Sequence, residues 1–390
     1  MRQIPAGNPL FLPVFGNILA HFERLFKLFQ GRRNILLKFI HCADLHLGSP
    51  LQDIRPEEAR ETRQTELRGA FARLAGYAEA EGVTAVLLAG DVFDKARPGK
   101  KDKEFFYSVV KTHPNVDFLY LKGNHDSLAS YAEELPNLKL FGSQWQYYTY
   151  GNLRIAGLEL GDENCESCYR TYQSDPSRRN IVLLHGMLGD AAGPCEIDRR
   201  KLAGLGIDYV ALGHVHGYRE EKIDARCTAA YAGCLEGRGY DETGEKGFIL
   251  LETGDGGLTH TFVPFADRRV FLLQTDVTGL DSLYDVLEKI RKESPARPAD
   301  LMRVELCGTV PFAAKGLEQE LETLLKDKYY SVSVKDKTRR HIDPGDYEND
   351  ISLRGEFIRG LYADTEMDDA LRQEVLALGL RVLNGEEAEE

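Results

Sequence analysis

Several short segments place histidine beside carboxylate or amide residues in patterns that suit metal-assisted chemistry. The segments HCADLHLG, LLAGDVFD, YLKGNHDS, VLLHGML and ALGHVHG contain eight candidates: Asp44, His46, Asp91, Asn124, His125, His185, His214 and His216. Any one of them could be an ordinary turn or core residue, because Gly, Asn and Asp are common turn formers. Their recurrence after successive apolar runs favours a shared site instead.

The donor types predict which ions such a site would take. Imidazole, carboxylate and a single amide oxygen, without cysteine, suit Mn, Fe or Zn better than Ca, and we expect Mn, with Fe or Zn as alternatives. Seven ligands exceed the needs of one ion. Two divalent ions about 3.5–4 Å apart, sharing a carboxylate, would activate a bridging hydroxide for in-line attack on phosphorus. Asp91 is the natural bridge, Asn124 offers a neutral oxygen, and His125 is left to meet the phosphate or leaving group.

Alternating strands and helices must position these residues. Strands are predicted at 37–42, 84–90, 116–123, 153–160, 180–186 and 208–215, and a helix at 56–81. This alternation indicates an α/β domain with largely buried strands. The candidates stand at strand carboxyl ends, where open α/β sheets gather ligands. The pairs 44/46 and 214/216 are two residues apart, so each pair faces one side of extended backbone.

A second pattern of strands and helices begins near residue 268. It predicts a smaller α+β domain at 268–345, after a catalytic domain at 37–267. Two helices follow at 346–390, where Thr365 could cap the second helix. An apolar stripe on that helix either packs on its own domain or docks a partner helix; its members are Leu371, Val375, Leu378 and Val382.

Composition limits the function classes. The net charge of −13 argues against a protein that coats nucleic acid on its own. The seven cysteines are odd in number in a long chain, so a reducing cytoplasm fits better than a disulfide framework. Cys165 and Cys168 form a CxxC pair, but no second pair follows at the spacing of a zinc ribbon.

The first 36 residues form a distinct N-terminal extension. Their apolar spacing is that of an amphipathic helix, and His21, Glu23, Arg24 and Lys27 interrupt it too often for a membrane span. The extension could lie on a membrane surface. We expect instead that the folded protein begins near Leu37 and that this segment is poorly ordered, as in an over-extended reading frame.

The motifs D-x-H, GD-x-x-D, GNH-D, H-G and GH-x-H, in this order over residues 38–235, resemble the calcineurin-like metallophosphoesterases. The resemblance implies a β-sandwich flanked by helices. It also implies that Asp44, His46, Asp91 and His216 hold one metal, that Asp91, Asn124, His185 and His214 hold the other, and that His125 acts as the acid.

Within this superfamily, HCADLHLGSPL, GDVFDKARP, GNHDS and YAGCLEGRGYDETGEKGF resemble the SbcD/YhaO branch of DNA repair exonucleases. That resemblance implies DNA as substrate, a coiled-coil SbcC-like ATPase as partner, a homodimer as one assembly, and a small domain that helps position DNA. Two departures are Cys234, where the branch usually has a small hydroxyl residue, and the N-terminal extension.

Two alternatives to a DNA nuclease remain at this point. A nucleotide or small-molecule phosphodiesterase would use the same site, and the acidic net charge favours it. Basic segments at 95–103 and 335–340 favour DNA. A non-catalytic scaffold is the third possibility, although no expected ligand is missing.

Overall fold

The computed structural model describes residues 36–126, 134–193, 195–254, 257–310, 316–340 and 344–383. The predicted N-terminal extension therefore lies outside the described residues, except for Leu36. Two compact units divide the chain. The first takes in residues up to 49, 67–235 and 246–265, and the second takes in 50–66, 236–245 and 266 onward.

The first unit is built on two six-stranded sheets. One sheet has the strand order β14-β13-β1-β2-β3-β4, and the other has the order β11-β12-β10-β7-β6-β5. The strands are β1 (Leu37–Cys42), β2 (Ala85–Ala89), β3 (Asp117–Leu121), β4 (Leu138–Leu140), β5 (Gln146–Tyr150), β6 (Leu153–Gly157), β7 (Arg179–His185), β8 (Met187–Gly189), β9 (Glu196–Asp198), β10 (Tyr209–Gly213), β11 (Arg219–Lys222), β12 (Thr228–Tyr231), β13 (Gly247–Gly254) and β14 (Gly257–Pro264). Strands β8 and β9 form a separate parallel pair.

The two sheets pack face to face around a shared apolar core. Phe39, Leu87 and Leu119 of the first sheet cluster with Ile181 and Tyr209 of the second, and all are buried. The central strands β1–β3, β7 and β10 run parallel and are apolar along nearly their whole length, because parallel strands of this kind are buried on both faces. The first unit is therefore a β-sandwich.

Helices cover the outer faces of this sandwich. In chain order the helices of the first part of the protein are α1 (Glu57–Ala80), α2 (Lys100–Thr112), α3 (Cys168–Thr171) and α4 (Arg199–Leu202). Phe71 of α1 and Phe106 of α2 stack at 5.5 Å over the first sheet. Tyr169 of α3 and Leu202 of α4 pack with Val182 and Val210 over the second sheet. These layers confirm the predicted α/β sandwich flanked by helices.

The second unit contains a smaller three-stranded parallel sheet, with order β15-β16-β18. Its elements are β15 (Val270–Asp276), α5 (Leu283–Glu293), β16 (Leu301–Cys307), β17 (Thr309–Val310), α6 (Leu317–Leu325), β18 (Ser331–Asp336), β19 (Arg339–Arg340), a 3-10 turn (Pro344–Tyr347), α7 (Leu353–Ala363) and α8 (Asp369–Leu383). Helices α5 and α6 share one core with the sheet. Helices α7 and α8 pack around Ile358, Leu361 and Leu376.

Candidate metal centre

The eight predicted site residues lie at the carboxyl ends of five parallel strands. Asp44 and His46 follow β1, Asp91 follows β2, and Asn124 with His125 follows β3. In the second sheet, His185 ends β7 beside Gly213, the last residue of β10. His214 and His216 follow β10 by one and three residues. Three strand ends of one sheet and two of the other therefore carry the predicted site residues.

A continuous chain of contacts joins the eight residues. The backbone N–H of His214 donates to Asp44 Oδ1 at 3.0 Å, and that of His125 donates to Asp91 Oδ1 at 2.9 Å. Five further contacts link side chains: His46 Nε2 to His216 Nε2 at 3.2 Å, His46 Nε2 to Asp91 Oδ2 at 3.9 Å, His185 Nε2 to Asp91 Oδ2 at 3.4 Å, His185 Nε2 to Asn124 Oδ1 at 3.0 Å, and His214 Nδ1 to Asn124 Oδ1 at 3.2 Å. The structure thus brings all eight together.

Unusual backbone geometry is concentrated at these strand ends. Asp44, His46, Asp91 and His214 all have φ between 45° and 102°, a region that non-glycine residues seldom occupy. Each such residue costs on the order of 1–3 kcal/mol and persists only where the surroundings enforce it. Strain of this kind gathers at functional sites, which fits a site that turns several side chains toward one point.

Two glycines permit the close approach of these loops. A Cβ at Gly123 would lie 2.2 Å from Asp91 Oδ1, and a Cβ at Gly90 would lie 2.2 Å from His185 Nδ1. Gly90 also has φ of 90°, where a side chain is strained. Any larger residue at either position would push a candidate ligand out of place.

Asp126 shapes the loop that carries Asn124 and His125, a role that the sequence motifs did not reveal. The buried carboxylate accepts hydrogen bonds from the backbone N–H groups of Val92 and Gly123, at 2.9 and 2.6 Å, and from the Tyr120 hydroxyl at 2.5 Å. Burial raises the pKa of Asp126 to about 6. The Asp126 carboxylate therefore links the loop that follows β2 to the loop that follows β3.

Asp94 is a second residue that the sequence motifs left unassigned. Its Oδ1 lies 3.3 Å from His46 Nδ1, and its carbonyl oxygen lies 3.2 Å from His125 Nδ1. His46, Asp94 and His125 form one of three groups in the described residues whose ligand atoms lie within 4.8 Å of one another. The available signal was the second aspartate of GDVFD, which belongs to the same motif as Asp91.

Electrostatics couple the carboxylates to the histidines. Burial raises the pKa of Asp44, despite the opposing pull of the nearby histidines. Burial is the largest single influence on Asp91 and His185, but their mutual hydrogen bond and the surrounding charges and hydrogen bonds together outweigh it, lowering the pKa of Asp91 to about 2 and raising that of His185 to about 9. Burial and the neighbouring His185 lower the pKa of His214. Two buried carboxylates among imidazoles call for a cation.

The residues present fit divalent ions. The facing nitrogens of His46 and His216 are 3.2 Å apart, and two imidazole nitrogens on one ion, at bonds of about 2.0–2.1 Å, would lie about 3 Å apart. Asp44 joins these two histidines in one group, and Asp44, Asp91 and His185 form another.

Among the described residues, no helix is both long and apolar enough to cross a bilayer.

Comparison with known proteins agrees with this geometry. Residues 37–218 match the family model of the calcineurin-like phosphoesterases. The uncharacterized metallophosphoesterase YhaO of Bacillus subtilis is 28% identical over 367 residues, covering 85% of this chain and 88% of that protein. The DNA double-strand break repair protein Mre11 of Sulfolobus acidocaldarius is 22% identical over 361 residues, covering 85% of this chain and 92% of that protein.

A third relative is similar to this chain over a shorter segment. A subunit of the nuclease SbcCD from Rhodobacter capsulatus is 32% identical over 94 residues, which cover 23% of this chain and 22% of that protein. The family match begins at the first residue of β1 and includes every candidate ligand. Residues 37–218 therefore form a calcineurin-like phosphoesterase domain.

Proposed function

We propose that this protein is a dinuclear-metal phosphodiesterase that cleaves DNA as the nuclease component of a DNA repair complex. The observation that carries the proposal is the single contiguous cluster at the sandwich edge, with Asp91 at its centre. Asp91 Oδ2 lies 3.4 Å from His185 Nε2 and 3.9 Å from His46 Nε2. Asp91 thus stands between the two predicted ligand sets, as a bridging carboxylate must.

The two predicted ligand sets would share Asp91. Asp44, His46 and His216 would complete one ion's coordination, and Asn124, His185 and His214 would complete the other's. When bound, the two ions would supply a nucleophilic water at neutral pH and neutralise charge on the phosphate. Mn is the expected metal, with Fe or Zn as alternatives, because the donors mix nitrogen and oxygen.

His125 has the position expected of a group that acts on substrate. Its side chain is exposed, its ring lies 4.9 Å from that of His46, and its Nδ1 is next to the Asp94 carbonyl oxygen. If Nδ1 donates its proton to that carbonyl, Nε2 is left to exchange a proton with the leaving oxygen. The backbone of the same residue is fixed through Asp91, so the imidazole is held beside the reacting phosphate.

Two observations favour DNA over a small phosphodiester. Two of the relatives bear names of a DNA repair protein and a nuclease component. In this chain the exposed Lys95 and Arg97 closely follow Asp94, so cationic side chains are available next to the candidate centre for neighbouring phosphates. A nucleotide or small-molecule phosphodiesterase is the second candidate, and the net charge of −13 favours it.

The proposed assembly includes a coiled-coil ATPase of the SbcC type, and a homodimer is one expected form. Leu371, Leu378 and Val382 on α8 are 46%, 50% and 56% exposed. Such an apolar stripe suits helix-in-groove docking. With DNA as substrate and an odd number of cysteines, a cytoplasmic location fits this function.

The test is to incubate purified protein and Mn with end-labelled duplex DNA and, separately, with bis(4-nitrophenyl) phosphate, with and without the cognate ATPase. We expect hydrolysis of both and stimulation of DNA cleavage by the ATPase. Hydrolysis of the small diester, without cleavage of duplex DNA under any of these conditions, would support the second candidate instead.

A further inference from the structure

A cavity of about 240 Å³ opens directly beside the metal centre. Asn124 and His185 belong to both the cavity and the candidate centre, while its other walls include Lys122, Glu159, Leu160 and Cys195. A group that fills the cavity therefore lies next to the reacting phosphate. None of these four residues belongs to the predicted ligand set.

The size of the cavity limits its occupant. Sites for drug-sized ligands span about 300–1,000 Å³, so this cavity takes only one fragment of a larger substrate. A duplex cannot enter it, whereas a single nucleoside at a chain end can. A fragment attached to the phosphate can reach the cavity, because Asn124 and His185 belong to both the cavity and the candidate centre.

The cavity walls combine apolar surface with a polar pair. Leu160 and the aliphatic stem of Lys122 offer apolar contact, and Lys122 Nζ lies 3.6 Å from Glu159 Oε2. Glu159 Oε1 is buried and makes no hydrogen bond to any residue that the structure describes. Burial raises the pKa of Glu159. A nucleoside has matching features, since a base presents apolar faces and a hydrogen-bonding edge.

We propose that the cavity of Lys122, Glu159, Leu160 and Cys195 binds the nucleoside attached to the scissile phosphate, an inference that rests on the proposed phosphodiesterase function. The Lys122–Glu159 pair contacts the polar edge of this nucleoside, and Leu160 contacts its apolar face. The site selects substrates that can place one unpaired terminal nucleoside in it.

The two exposed cysteines give a direct test, because Cys195 lines the cavity and Cys307 lies at the end of β16 in the second unit. Burial raises the pKa of Cys195, so labelling with N-ethylmaleimide is done in mildly alkaline buffer and followed by peptide mass spectrometry. Thymidine 5′-monophosphate at roughly ten times its Kd leaves about one-tenth of the cavities empty, so Cys195 labelling should slow about tenfold. Labelling of Cys307 should stay unchanged.

In the same assay, inorganic phosphate and ribose 5-phosphate show whether protection needs the whole nucleotide or only its phosphate or sugar phosphate. Neither should protect Cys195 at the same concentration. Equal protection by inorganic phosphate, or no protection by the nucleotide, would overturn the proposal. The assay does not depend on turnover: nucleotide protection without any diester hydrolysis would contradict the proposed function and leave the cavity assignment standing.

A matched pair of variants tests the polar contact. Glu159→Gln should raise the concentration of thymidine 5′-monophosphate needed for half protection about tenfold, the scale of one hydrogen bond to a charged group. Glu166→Gln is the control, because Glu166 forms an exposed pair with Lys201 at 2.6 Å outside the cavity. Equal half-protection concentrations in Glu159→Gln and Glu166→Gln, with unchanged melting temperatures, would remove Glu159 from the site.

Discussion

At the scale of single residues, His125 is held by its backbone to the candidate bridging ligand, while its side chain stays exposed. We therefore predict that His125→Asn lowers turnover of bis(4-nitrophenyl) phosphate about 10²–10⁴-fold, the usual range for general acid–base catalysis. Metal content should stay close to that of the unaltered protein, because His125 is assigned to proton transfer. Steady-state kinetics and elemental analysis of the same sample measure both.

His214→Ala is the control for this prediction. His214 Nδ1 lies 3.2 Å from the Asn124 oxygen, within the predicted ligand set. This variant should lose metal and activity together. Loss of metal from His125→Asn would show that His125 is a ligand and that its assigned role is wrong.

Asp126 supports a second prediction, on stability. Asp126→Ala leaves the backbone N–H groups of Val92 and Gly123 without their acceptor in a buried loop. Each such loss costs about 1–3 kcal/mol, so the free energy of unfolding should fall by at least about 2 kcal/mol. Urea denaturation followed by the fluorescence of Trp145, the single tryptophan, measures it in the first unit.

Tyr120→Phe provides the graded comparison. It removes only the hydroxyl that donates to Asp126, so it should cost about 0.5–1.5 kcal/mol. If Asp126→Ala proves no more destabilising than Tyr120→Phe, the carboxylate does not hold these loops.

The sequence was sufficient to predict eight residues of one cluster, because each follows an apolar run and parallel strands end at a common edge. Asp94 and Asp126 belong to the same motifs, but the sequence did not indicate what either residue contacts. Aspartate is common in turns, so neither position stands out. Only the folded loops show that Asp94 contacts His46 and that Asp126 accepts hydrogen bonds from backbone N–H groups of two loops. The predicted division of ligands between two ions stays a prediction.

At the scale of secondary-structure elements, apolar runs located the strands to within a few residues, whereas helix starts depended on local hydrogen bonds. Thr365 is the residue that the sequence suggested as the cap of the last helix. The helix α8 instead begins at Asp369, and Asp368 Oδ1 accepts from the Leu371 N–H at 2.9 Å. Asp and Thr are both good caps, and sequence alone does not rank two of them three residues apart.

His41 of β1 joins the two sheets of the sandwich. Its Nδ1 lies 3.0 Å from the Tyr209 hydroxyl, and its Nε2 lies 3.1 Å from the Leu212 carbonyl oxygen, both on β10. Burial lowers the pKa of His41 to about 3. The unfolded chain takes up a proton near pH 6.5, but the folded chain does not, so this contribution to stability is present above that pH and lost as pH falls toward 3.

We therefore predict that the stability advantage of the unaltered protein over His41→Gln shrinks as pH falls from about 6 to about 4, by up to about 1.4 kcal/mol per pH unit. Metal-free protein is unfolded in urea at each pH. A pH-independent difference for His41→Gln would mean that His41 is charged in the folded state.

At the scale of the whole molecule, residues 50–66 and 236–245 belong to the same compact unit as the chain from residue 266 onward. Single sequence boundaries cannot anticipate such a grouping, because it depends on contacts between distant segments. The smaller unit has a core of its own around Val304, Leu321 and Ile290. The predicted domain limits at 37–267, 268–345 and 346–390 remain a proposal.

The exposed stripe of α8 is the docking surface that we propose for the ATPase partner. Replacing Leu371 and Leu378 with Glu should abolish stimulation of duplex cleavage by the ATPase, because charge would enter an apolar contact. Hydrolysis of bis(4-nitrophenyl) phosphate should be unchanged. Nuclease assays with and without the ATPase measure the stimulation.

Leu324→Glu is the matched control, since Leu324 is 44% exposed on α6 and lies outside the stripe. It should keep full stimulation. An unfolded double variant, shown by circular dichroism, would place the stripe in the protein's own core, and full stimulation of a folded double variant would move the docking surface elsewhere.

Metal stoichiometry tests the central claim most directly, because the proposed chemistry requires two ions that share Asp91. Metal-free protein is reconstituted with saturating Mn, freed of excess ion, and analysed for metal per chain. We predict that the unaltered protein approaches two ions and that Asp91→Ala retains neither, since Asp91 stands between His46 and His185. One ion per chain in the unaltered protein at saturation would contradict the dinuclear mechanism.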